Sequence, residues 1–212
     1  MVGGGVLREC LEDPQVHSIL SVGRRPCGVV HPRVRELILP DLFELDWEKA
    51  DLEGHDACFF CLGVSAAGMD EAAYRKVTLD LTVTAATVLG ELNPRLTFCY
   101  VSGQGTDSSG GGRFMWARVK GETENRLLEM PLPTYMFRPG LIQPLKGVRS
   151  RTAAYQMFYT ALGPLFPLLN RMFPNHLTTT VNVGKAMIRT AMAGGPKHVL
   201  ETRDINALAV AV

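Results

Sequence analysis

Short apolar runs alternate with longer stretches of mixed polarity along most of this chain. The apolar runs end at glycine, proline or charged residues and predict strands over "HSILSVGRR", "VRELILPDLF", "DACFFCLGVS", "RLTFCYVSGQG" and "TYMFRPGLIQP". The stretches between them predict helices over "VGGGVLRECLED", "LDWEKADLEG", "MDEAAYRKVTLDLTVTAATVLGEL" and "RFMWARVKGETENRLLEM". Strands that alternate with helices predict an α/β fold built on a doubly wound parallel sheet.

The part of the chain after Pro144 is predicted to be mostly helical, with Thr178–Thr180 as the cap of the helix "VNVGKAMIRTAMAG". The apolar stretch "AYQMFYTALGPLFPLLNRMF" is interrupted by prolines and by Arg171, so it predicts a buried or interface helix pair, and no membrane contact is expected. Since no repeat or linker is visible, residues 1–212 are interpreted as a single domain in which 145–180 form a small helical segment.

Composition and charge narrow the class of protein. With 46% hydrophobic residues among 212, the chain can bury one substantial core, and a net charge of +1 does not indicate a nucleic-acid partner. Five cysteines without a framework pattern are interpreted as reduced thiols, which predicts a cytoplasmic location. Cys58 and Cys61 form a C-x-x-C pair, but positions i and i+3 of a strand face opposite sides, so neither redox chemistry nor a metal site is predicted.

The chain opens on "MVGGGVLREC", in which glycines lead directly into a predicted helix. Glycines at a helix N-terminus let a phosphate approach the backbone N–H groups, which indicates a nucleotide-binding loop. A loop of this kind is expected to follow a buried strand, and the printed sequence has none ahead of it. The alternative interpretation is a flexible N-terminal tail.

The order of these signals resembles the atypical short-chain dehydrogenase/reductase family, whose members bind NAD(P) on a Rossmann sheet. The segments that carry the resemblance span almost the whole chain: "VGGGVLREC", "SVGRR", "DACFFCLG", "YVSGQGTD", "WARVKGETEN" and "FRPGLIQP". Within the family, the chain is most similar to the Tat-interacting-protein-like oxidoreductases and their bacterial relatives. The resemblance implies a Rossmann fold and makes 145–180 a substrate-side or interface segment.

The family's phosphate loop has the form Gly-x-x-Gly-x-x-Gly and follows the first strand. "MVG" matches its last third, so the resemblance places Val2 and Gly3 against the cofactor, while the first strand and two glycines are missing. Two explanations are open: a start placed at an internal methionine, or a gene product that lacks these residues. In both cases the printed chain is expected to bind cofactor weakly, and an upstream extension is expected to restore binding.

The residues that follow each strand set the expectations for the cofactor. NAD-preferring Rossmann proteins place an acid after the second strand, whereas Arg24 and Arg25 stand there and suit a 2′-phosphate, so NADP is favoured with NAD as the alternative. Arg24 and Arg25 can also be plain surface arginines, and Asp41 can be a plain turn residue. The resemblance implies further cofactor contacts at Asp41, Leu42, Leu62, Gly63, Val64, Lys120, Pro139, Gly140, Leu141 and Ile142.

Reductases of this family use a serine, a tyrosine and a lysine, the last two spaced Tyr-x-x-x-Lys on one helix face. The resemblance makes Ser102 the serine and Lys120 the lysine, while Trp116 stands at the tyrosine position. An indole N–H donates a hydrogen bond but is no general acid near neutral pH. Tyr100, a bound water or a substrate group remains as the proton source, and packing within the sheet is the alternative role of Tyr100. The alternative for Trp116 and Lys120 is an ordinary helix with a packed indole and a solvated lysine.

Two functions follow from these residues. The first is an NADP-dependent oxidoreductase that reduces a carbonyl of an apolar small molecule, which Ser102 and Lys120 favour. The second is a non-catalytic NADP(H)-binding sensor or scaffold that regulates a protein partner, which Trp116 favours. A homodimer or a regulatory protein partner fits the apolar segment 145–180.

Overall fold

The structure of the protein is a computed structural model, in which residues 1–43, 49–145 and 175–210 are described. Its strands are β1 (Ile19–Gly23), β2 (Val34–Ile38), β3 (Ala57–Phe60), β4 (Thr97–Val101), β5 (Thr134–Arg138), β6 (Leu141–Gln143), β7 (Leu177–Thr179) and β8 (Val199–Glu201). Its helices are α1 (Val2–Glu12), α2 (Lys49–Leu52), α3 (Glu71–Arg75), α4 (Leu81–Leu92), α5 (Met115–Leu128), α6 (Thr180–Ala193) and α7 (Thr202–Val210).

All strand pairings among the described residues are parallel. β3, β4, β5 and β8 form a four-stranded sheet in that order, β1 pairs with β2, and β6 pairs with β7. Parallel strands need crossover connections, and helices supply them from β3 to β4, from β4 to β5 and from β5 to β8, whereas residues 24–33 join β1 to β2 without a helix. The predicted α/β fold with a doubly wound parallel sheet is therefore confirmed.

Two apolar clusters cover the opposite faces of the strands. One cluster, which includes residues of α4, receives the even-numbered side chains of β1 and β3: Leu20, Val22, Cys58 and Phe60. The other, which includes residues of α1 and α6, receives odd-numbered ones: Ile19, Phe59 and Cys61. Because each cluster extends from β1 to β3, the sheet of β1 and β2 lies beside the four-stranded sheet in one layer. The placement of Cys58 and Cys61 on opposite faces confirms the prediction made from their spacing.

The segment "TYMFRPGLIQP", predicted as one strand, forms the two strands β5 and β6. Pro139 and Gly140 interrupt it because their backbones are held elsewhere. The carbonyl of Pro139 accepts a hydrogen bond from the Gln104 N–H at 2.9 Å, and the Gly140 N–H donates to Thr202 Oγ1 at 2.8 Å. The chain therefore leaves the β5 ladder and enters a new pairing with β7.

The described residues 175–210 are mostly helical, as predicted, in α6 and α7, but they also contain the strands β7 and β8, which were not predicted. β7 and β8 have three residues each and pair with strands far away in sequence, so local periodicity did not reveal them. The predicted helical segment 145–180 falls mainly on 146–174, which lie outside the described residues. Among the helices of the described part, none is long and apolar enough to cross a bilayer.

α1 packs closely on α6 through glycines. A Cβ placed on Gly5 would lie 2.6 Å from the Cβ of Thr180, and one placed on Gly184 would lie 2.6 Å from the Cγ of Glu9. Such distances leave no room for a side chain, so the two helix backbones approach each other closely. The first glycines of the chain thus belong to a packed helix, as predicted, and the alternative of a flexible tail does not hold.

Local caps explain where two of the other helices begin. Asp70 Oδ1 accepts a hydrogen bond from the Ala73 N–H at 2.8 Å ahead of α3. Thr179 Oγ1 accepts from the Asn182 N–H at 3.0 Å ahead of α6, which confirms the cap predicted within Thr178–Thr180. The long helix predicted from Met69 to Leu92 is α3 and α4 joined by a π-helical turn.

Candidate active site

The carboxyl ends of the parallel strands bring most of the predicted cofactor residues to one edge of the sheet layer. These residues follow β1, β2, β3 and β5 in the chain: Arg24, Arg25, Asp41, Leu42, Leu62, Gly63, Val64, Pro139, Gly140, Leu141 and Ile142. The start of α1 lies at the same edge, because a Cβ on Gly3 would be 3.3 Å from the Cβ of Cys61, the residue after β3. Open α/β sheets bind their ligands at this edge.

The N-terminal turn of α1 offers backbone donors at this edge. α1 begins at Val2, and no side chain of Met1 caps its first turn. The first N–H groups of a helix have no acceptor within the helix, and the helix dipole favours an anion beside them. Val2 and Gly3 are the first residues of this turn, and the contact of their N–H groups with a phosphate stays a prediction.

Arg24 and Arg25 are exposed immediately after β1, and neither guanidinium has an ion-pair partner within the described ranges. After β2, Asp41 Oδ1 accepts a hydrogen bond from the Phe43 N–H at 3.0 Å, so this carboxylate holds a turn. Leu42 is buried in the core. The contact of Asp41 and Leu42 with an adenine ring stays a prediction.

Lys120 reaches from α5 to the end of β4. Its ammonium donates to the carbonyl oxygen of Ser102, and a Cβ on Gly103 would lie 3.9 Å from the Lys120 Nζ. Burial lowers the pKa of Lys120 below its ordinary value, and the nearby carboxylate of Glu124 opposes that shift. The alternative of a fully solvated lysine does not hold, since Lys120 is half-buried at the strand ends.

The hydroxyl of Ser102 is engaged in a buried network. It donates to Glu124 Oε1 at 2.6 Å, and Ser102 is only 2% exposed. Glu124 is itself fully buried, and it accepts a hydrogen bond from Arg138 Nε at 2.9 Å and from Ser108 Oγ at 3.1 Å. Arg138 also lies 3.2 Å from the carboxylate of Glu201. In this arrangement the Ser102 hydroxyl holds β4 to α5, and its contact with a substrate oxygen stays a prediction.

Trp116 lies one helical turn before Lys120 on α5, so both side chains project from one helix face. The indole ring stacks with Phe114 at 6.5 Å between centroids, and Trp116 packs against the buried cluster that contains Tyr74, Leu79 and Val119. Tyr100 is 1% exposed in the sheet core, where its ring lies 6.2 Å from that of Phe60. Burial raises the pKa of Tyr100 above its ordinary value, and the packing of its ring in the sheet agrees with the alternative role given to it.

The strand-end loops meet around Gly140. A Cβ on Gly140 would lie 2.2 Å from the carbonyl oxygen of His176 and 2.7 Å from Gln104 Oε1, so no other residue fits without a shift. Gln104 Nε2 and His176 Nδ1 are 2.8 Å apart. Sequence reasoning missed both Gln104 and His176, because they are 72 residues apart and nothing local links them.

The loop between β4 and α5 is organised by Asp107. Its carboxylate accepts hydrogen bonds from the N–H and the hydroxyl of Ser109, at 3.0 and 2.6 Å, and from the Gly112 N–H. These bonds lower the pKa of Asp107. A Cβ on Gly121 would lie 1.8 Å from the Asp107 carbonyl oxygen, so α5 packs directly on the loop backbone. The loop and helix together fix Lys120 and Trp116 at the edge.

Thiol or metal chemistry is not supported at this edge. Burial raises the pKa of Cys58 and of Cys61 to about 12, which keeps both thiols protonated near neutral pH. No cluster of three or more His, Cys, Asp or Glu residues in the described part of the chain is arranged to hold a metal ion.

A curated relative matches about two thirds of this chain. Protein HTATIP2 of Rattus norvegicus is 26% identical over 144 residues, which cover 66% of this chain and 58% of that protein. The match thus extends over less than two thirds of the relative's length. No family model matches the chain.

Solved structures resemble the whole fold. The Bordetella bronchiseptica enzyme WbmF, in complex with NAD+, has a TM-score of 0.62 at 16% identity, over 97% of this chain and 73% of that one. DesIV, a dTDP-glucose 4,6-dehydratase from Streptomyces venezuelae with NAD and TYD bound, has a TM-score of 0.66 at 11% identity, over 99% and 77%. At these identities the likeness establishes the Rossmann fold. The match to HTATIP2 and the Rossmann fold agree with the resemblance to atypical short-chain dehydrogenase/reductases that the order of the sequence motifs indicated.

Proposed function

We propose that the chain binds a nicotinamide dinucleotide at the carboxyl edge of its sheet and works as an oxidoreductase of the short-chain dehydrogenase type. The observation that carries the proposal is the position of Lys120, whose ammonium meets the Ser102 carbonyl at the end of β4, beside Gly103. The NAD-bound WbmF and DesIV structures share this fold and support a ligand of the same class.

The residues at the edge fit such a cofactor. The N–H groups at the start of α1 suit the pyrophosphate, and Lys120 suits the hydroxyls of the nicotinamide ribose. The backbone at Pro139 and Gly140 suits the nicotinamide amide, because it lies in the loop next to Gly103, 3.9 Å from a Cβ placed there. When bound, the nicotinamide supplies or accepts a hydride.

In this proposal the chain's own residues position the cofactor and the substrate, and they do not protonate the substrate. Lys120 supplies a positive charge at the ribose, and Glu124 keeps that charge partly balanced. The Trp116 indole N–H can orient a substrate oxygen but cannot release a proton near neutral pH. A water molecule or a group on the substrate therefore supplies the proton, and the substrate is proposed to be an apolar carbonyl compound.

NADP is proposed over NAD because Arg24 and Arg25 stand after β1 in place of an acid. A charge-assisted contact with a 2′-phosphate contributes about 1.5–3 kcal/mol, so NADPH is expected to bind roughly tenfold to a hundredfold more tightly than NADH. Calorimetric titration with both cofactors measures the difference in affinity, for residues 1–212 and for a protein with a complete phosphate loop.

The double substitution Arg24→Ala, Arg25→Ala is expected to remove the preference for NADPH. Arg95→Ala is the matched control, since Arg95 is an exposed arginine at the opposite edge, just before β4. Equal affinities of the unsubstituted protein for the two cofactors would end the NADP assignment. Loss of the preference in Arg95→Ala as well would show a general charge effect.

A second function is a non-catalytic NADP(H)-binding sensor or scaffold that regulates a protein partner. Two observations favour it: an indole stands where the family has a phenol, and the Ser102 hydroxyl is held by Glu124. Trp116→Tyr separates the two functions, because it restores Tyr-x-x-x-Lys. General acid catalysis contributes about 10²–10⁴-fold, and a smaller gain is expected in a pocket shaped around indole.

The measurement is NADPH oxidation over a panel of carbonyl compounds. Phe114→Tyr is the control, since it adds a phenol on the same helix start but outside the Trp116–Lys120 spacing. A gain with Trp116→Tyr and none with Phe114→Tyr supports the oxidoreductase. No gain with any substrate, together with loss of cofactor binding in Lys120→Ala, supports the sensor.

A further inference from the structure

His176 differs from the other histidines of the chain in its position in the fold. The chain has five histidines, and all of them belong to the described residues. Four stand one to three residues ahead of a strand of the sheet layer, which places them at its amino edge: His17, His31, His55 and His198. His176 precedes β7, which pairs with β6, and β6 begins beyond the carboxyl end of β5. Of the five described histidines, His176 is therefore the one at the carboxyl edge.

The backbone of His176 lies against the loop between β5 and β6. A Cβ on Gly140 would lie 2.2 Å from the His176 carbonyl oxygen. Pro139, the residue before Gly140, has its carbonyl oxygen 3.9 Å from a Cβ placed on Gly103, and that Cβ would also lie 3.9 Å from Lys120 Nζ. His176 thus adjoins the loop that is proposed to meet the nicotinamide amide, on the side of the edge that Lys120 occupies.

Gln104 determines which ring nitrogen of His176 carries the proton. Gln104 Nε2 lies 2.8 Å from His176 Nδ1, and an amide nitrogen is a donor only, so Nδ1 is the acceptor. A neutral imidazole whose Nδ1 accepts a hydrogen bond carries its proton on Nε2. Gln104 is itself held in place, because its backbone N–H donates to the Pro139 carbonyl at 2.9 Å. Since His176 is exposed, a ligand at the carboxyl edge can reach this Nε2–H.

The two residues that the resemblance assigns to the substrate oxygen are engaged or replaced. The Ser102 hydroxyl donates to the buried carboxylate of Glu124 at 2.6 Å, and Ser102 is 2% exposed. Trp116 stands in place of the phenol. A carbonyl oxygen develops negative charge as its carbon accepts a hydride, and a fixed N–H donor beside it lowers the barrier. The Nε2–H of His176 is a donor of this kind.

We propose that the Nε2–H of His176 binds the carbonyl oxygen of the substrate, in the role that the resemblance gives to the Ser102 hydroxyl. This inference rests on the proposed oxidoreductase function. The neutral ring keeps its proton, so it stabilises charge on the oxygen while the proton still comes from water or from the substrate. Gln104 is a positioning residue that maintains the tautomer. Gly140 leaves space for the pair, because a Cβ there would lie 2.7 Å from Gln104 Oε1.

Nitrogen-15 NMR of protein labelled at histidine tests the tautomer without cofactor or substrate. At about pH 9, where an imidazole of ordinary pKa is neutral, Nε2 of His176 is expected to be protonated and Nδ1 unprotonated. In Gln104→Glu a carboxylate, which only accepts, replaces the amide, and the proton is expected to move to Nδ1. The signal is assigned by its loss in His176→Gln. A proton on Nδ1 in the unsubstituted protein, or the same tautomer in Gln104→Glu, would overturn the proposal.

NADPH oxidation over a panel of carbonyl compounds tests the contact with substrate. Removal of one donor to a developing oxyanion lowers the rate by about 10²–10³-fold, so His176→Leu is expected to lower kcat by about a hundredfold. Gln104→Glu is expected to lower it similarly, because Nε2 then carries no proton. His176→Gln is expected to regain part of the loss, since its amide offers an N–H near the position of Nε2. His17→Leu, at an exposed histidine of the amino edge, is the matched control.

The outcomes separate this inference from the proposed function. Calorimetric titration with NADPH shows whether the variants keep the cofactor site, and His176→Leu is expected to bind NADPH as tightly as the unsubstituted protein does. If His176→Leu turns over as fast as the unsubstituted protein, or if His17→Leu loses as much activity, the role of His176 is refuted and the oxidoreductase function stands. A loss of NADPH affinity that matches the loss of kcat also refutes that role. No turnover by the unsubstituted protein would end both proposals.

Discussion

Replacing Glu124 with alanine removes the acceptor at the centre of the buried network between β4, α5 and β5. Glu124 is fully buried and accepts from Ser102, Ser108 and Arg138. Removing one partner of a buried ion pair costs about 3–5 kcal/mol, because the other charge is left without compensation. Arg138 keeps Ser108 at 2.6 Å and Glu201 at 3.2 Å, so the lower end, about 3 kcal/mol, is expected.

Thermal melting followed by circular dichroism measures this loss. For a chain of this size, about 3 kcal/mol corresponds to a fall in melting temperature of about 6–12 °C. The matched control is Glu122→Ala, which lies two residues earlier on α5 and breaks the pair with Arg75 at 2.5 Å. Glu122 is 44% exposed, so this change is expected to cost at most about 1 kcal/mol.

Two results test whether the network around Glu124 stabilises the fold. If Glu124→Ala lowers the melting temperature no more than Glu122→Ala, the network does not stabilise the fold and the reasoning is refuted. The double variant Glu124→Leu, Arg138→Met supplies the second result. Replacement of a buried ion pair by apolar residues of similar volume is often neutral, so the double variant is expected to regain most of the loss. A double variant less stable than Glu124→Ala would contradict that explanation.

Two further predictions concern packing and thiols. Gly121→Ala is expected to lower the free energy of unfolding by more than about 2 kcal/mol, because its Cβ would lie 1.8 Å from a backbone oxygen. Gly90→Ala in α4 is the control, since its Cβ meets nothing nearer than 3.6 Å, and it is expected to raise the free energy of unfolding by about 0.5–1 kcal/mol. Urea titration compares the two variants, and equal effects would contradict the close approach at Gly121. Cys10, Cys58 and Cys61, whose pKa values burial raises to about 12, hold roughly one thiolate in ten thousand at pH 8. Their alkylation by iodoacetamide is expected to be at least about a hundredfold slower in the native protein than in urea, and rapid labelling of the native protein would show that these thiols are accessible.

Much of the secondary structure could be predicted because the local spacing of apolar and polar residues differs between strands and helices. The uniformly apolar run around Cys58 predicted β3, and the repeat of apolar positions after the first glycines predicted α1. The opposite faces of Cys58 and Cys61 followed from strand alternation alone. For the same reason the resemblance to short-chain dehydrogenases held, since it rested on the order of such segments.

The sequence by itself thus determined most of the strands and helices up to β5, that the sheet is parallel, and which residues follow each of these strands. Tertiary structure alone decided what those residues touch. The Ser102 hydroxyl turns to Glu124 because α5 brings a buried carboxylate 22 positions away within 2.6 Å. Gln104 and His176 meet because β7 pairs with β6. The pairing of β1 with β2 and of β3 with β4 is a property of strand order in space. Hydrogen bonds and packing between distant segments depend on how the elements assemble, and the local spacing of apolar residues does not specify that assembly.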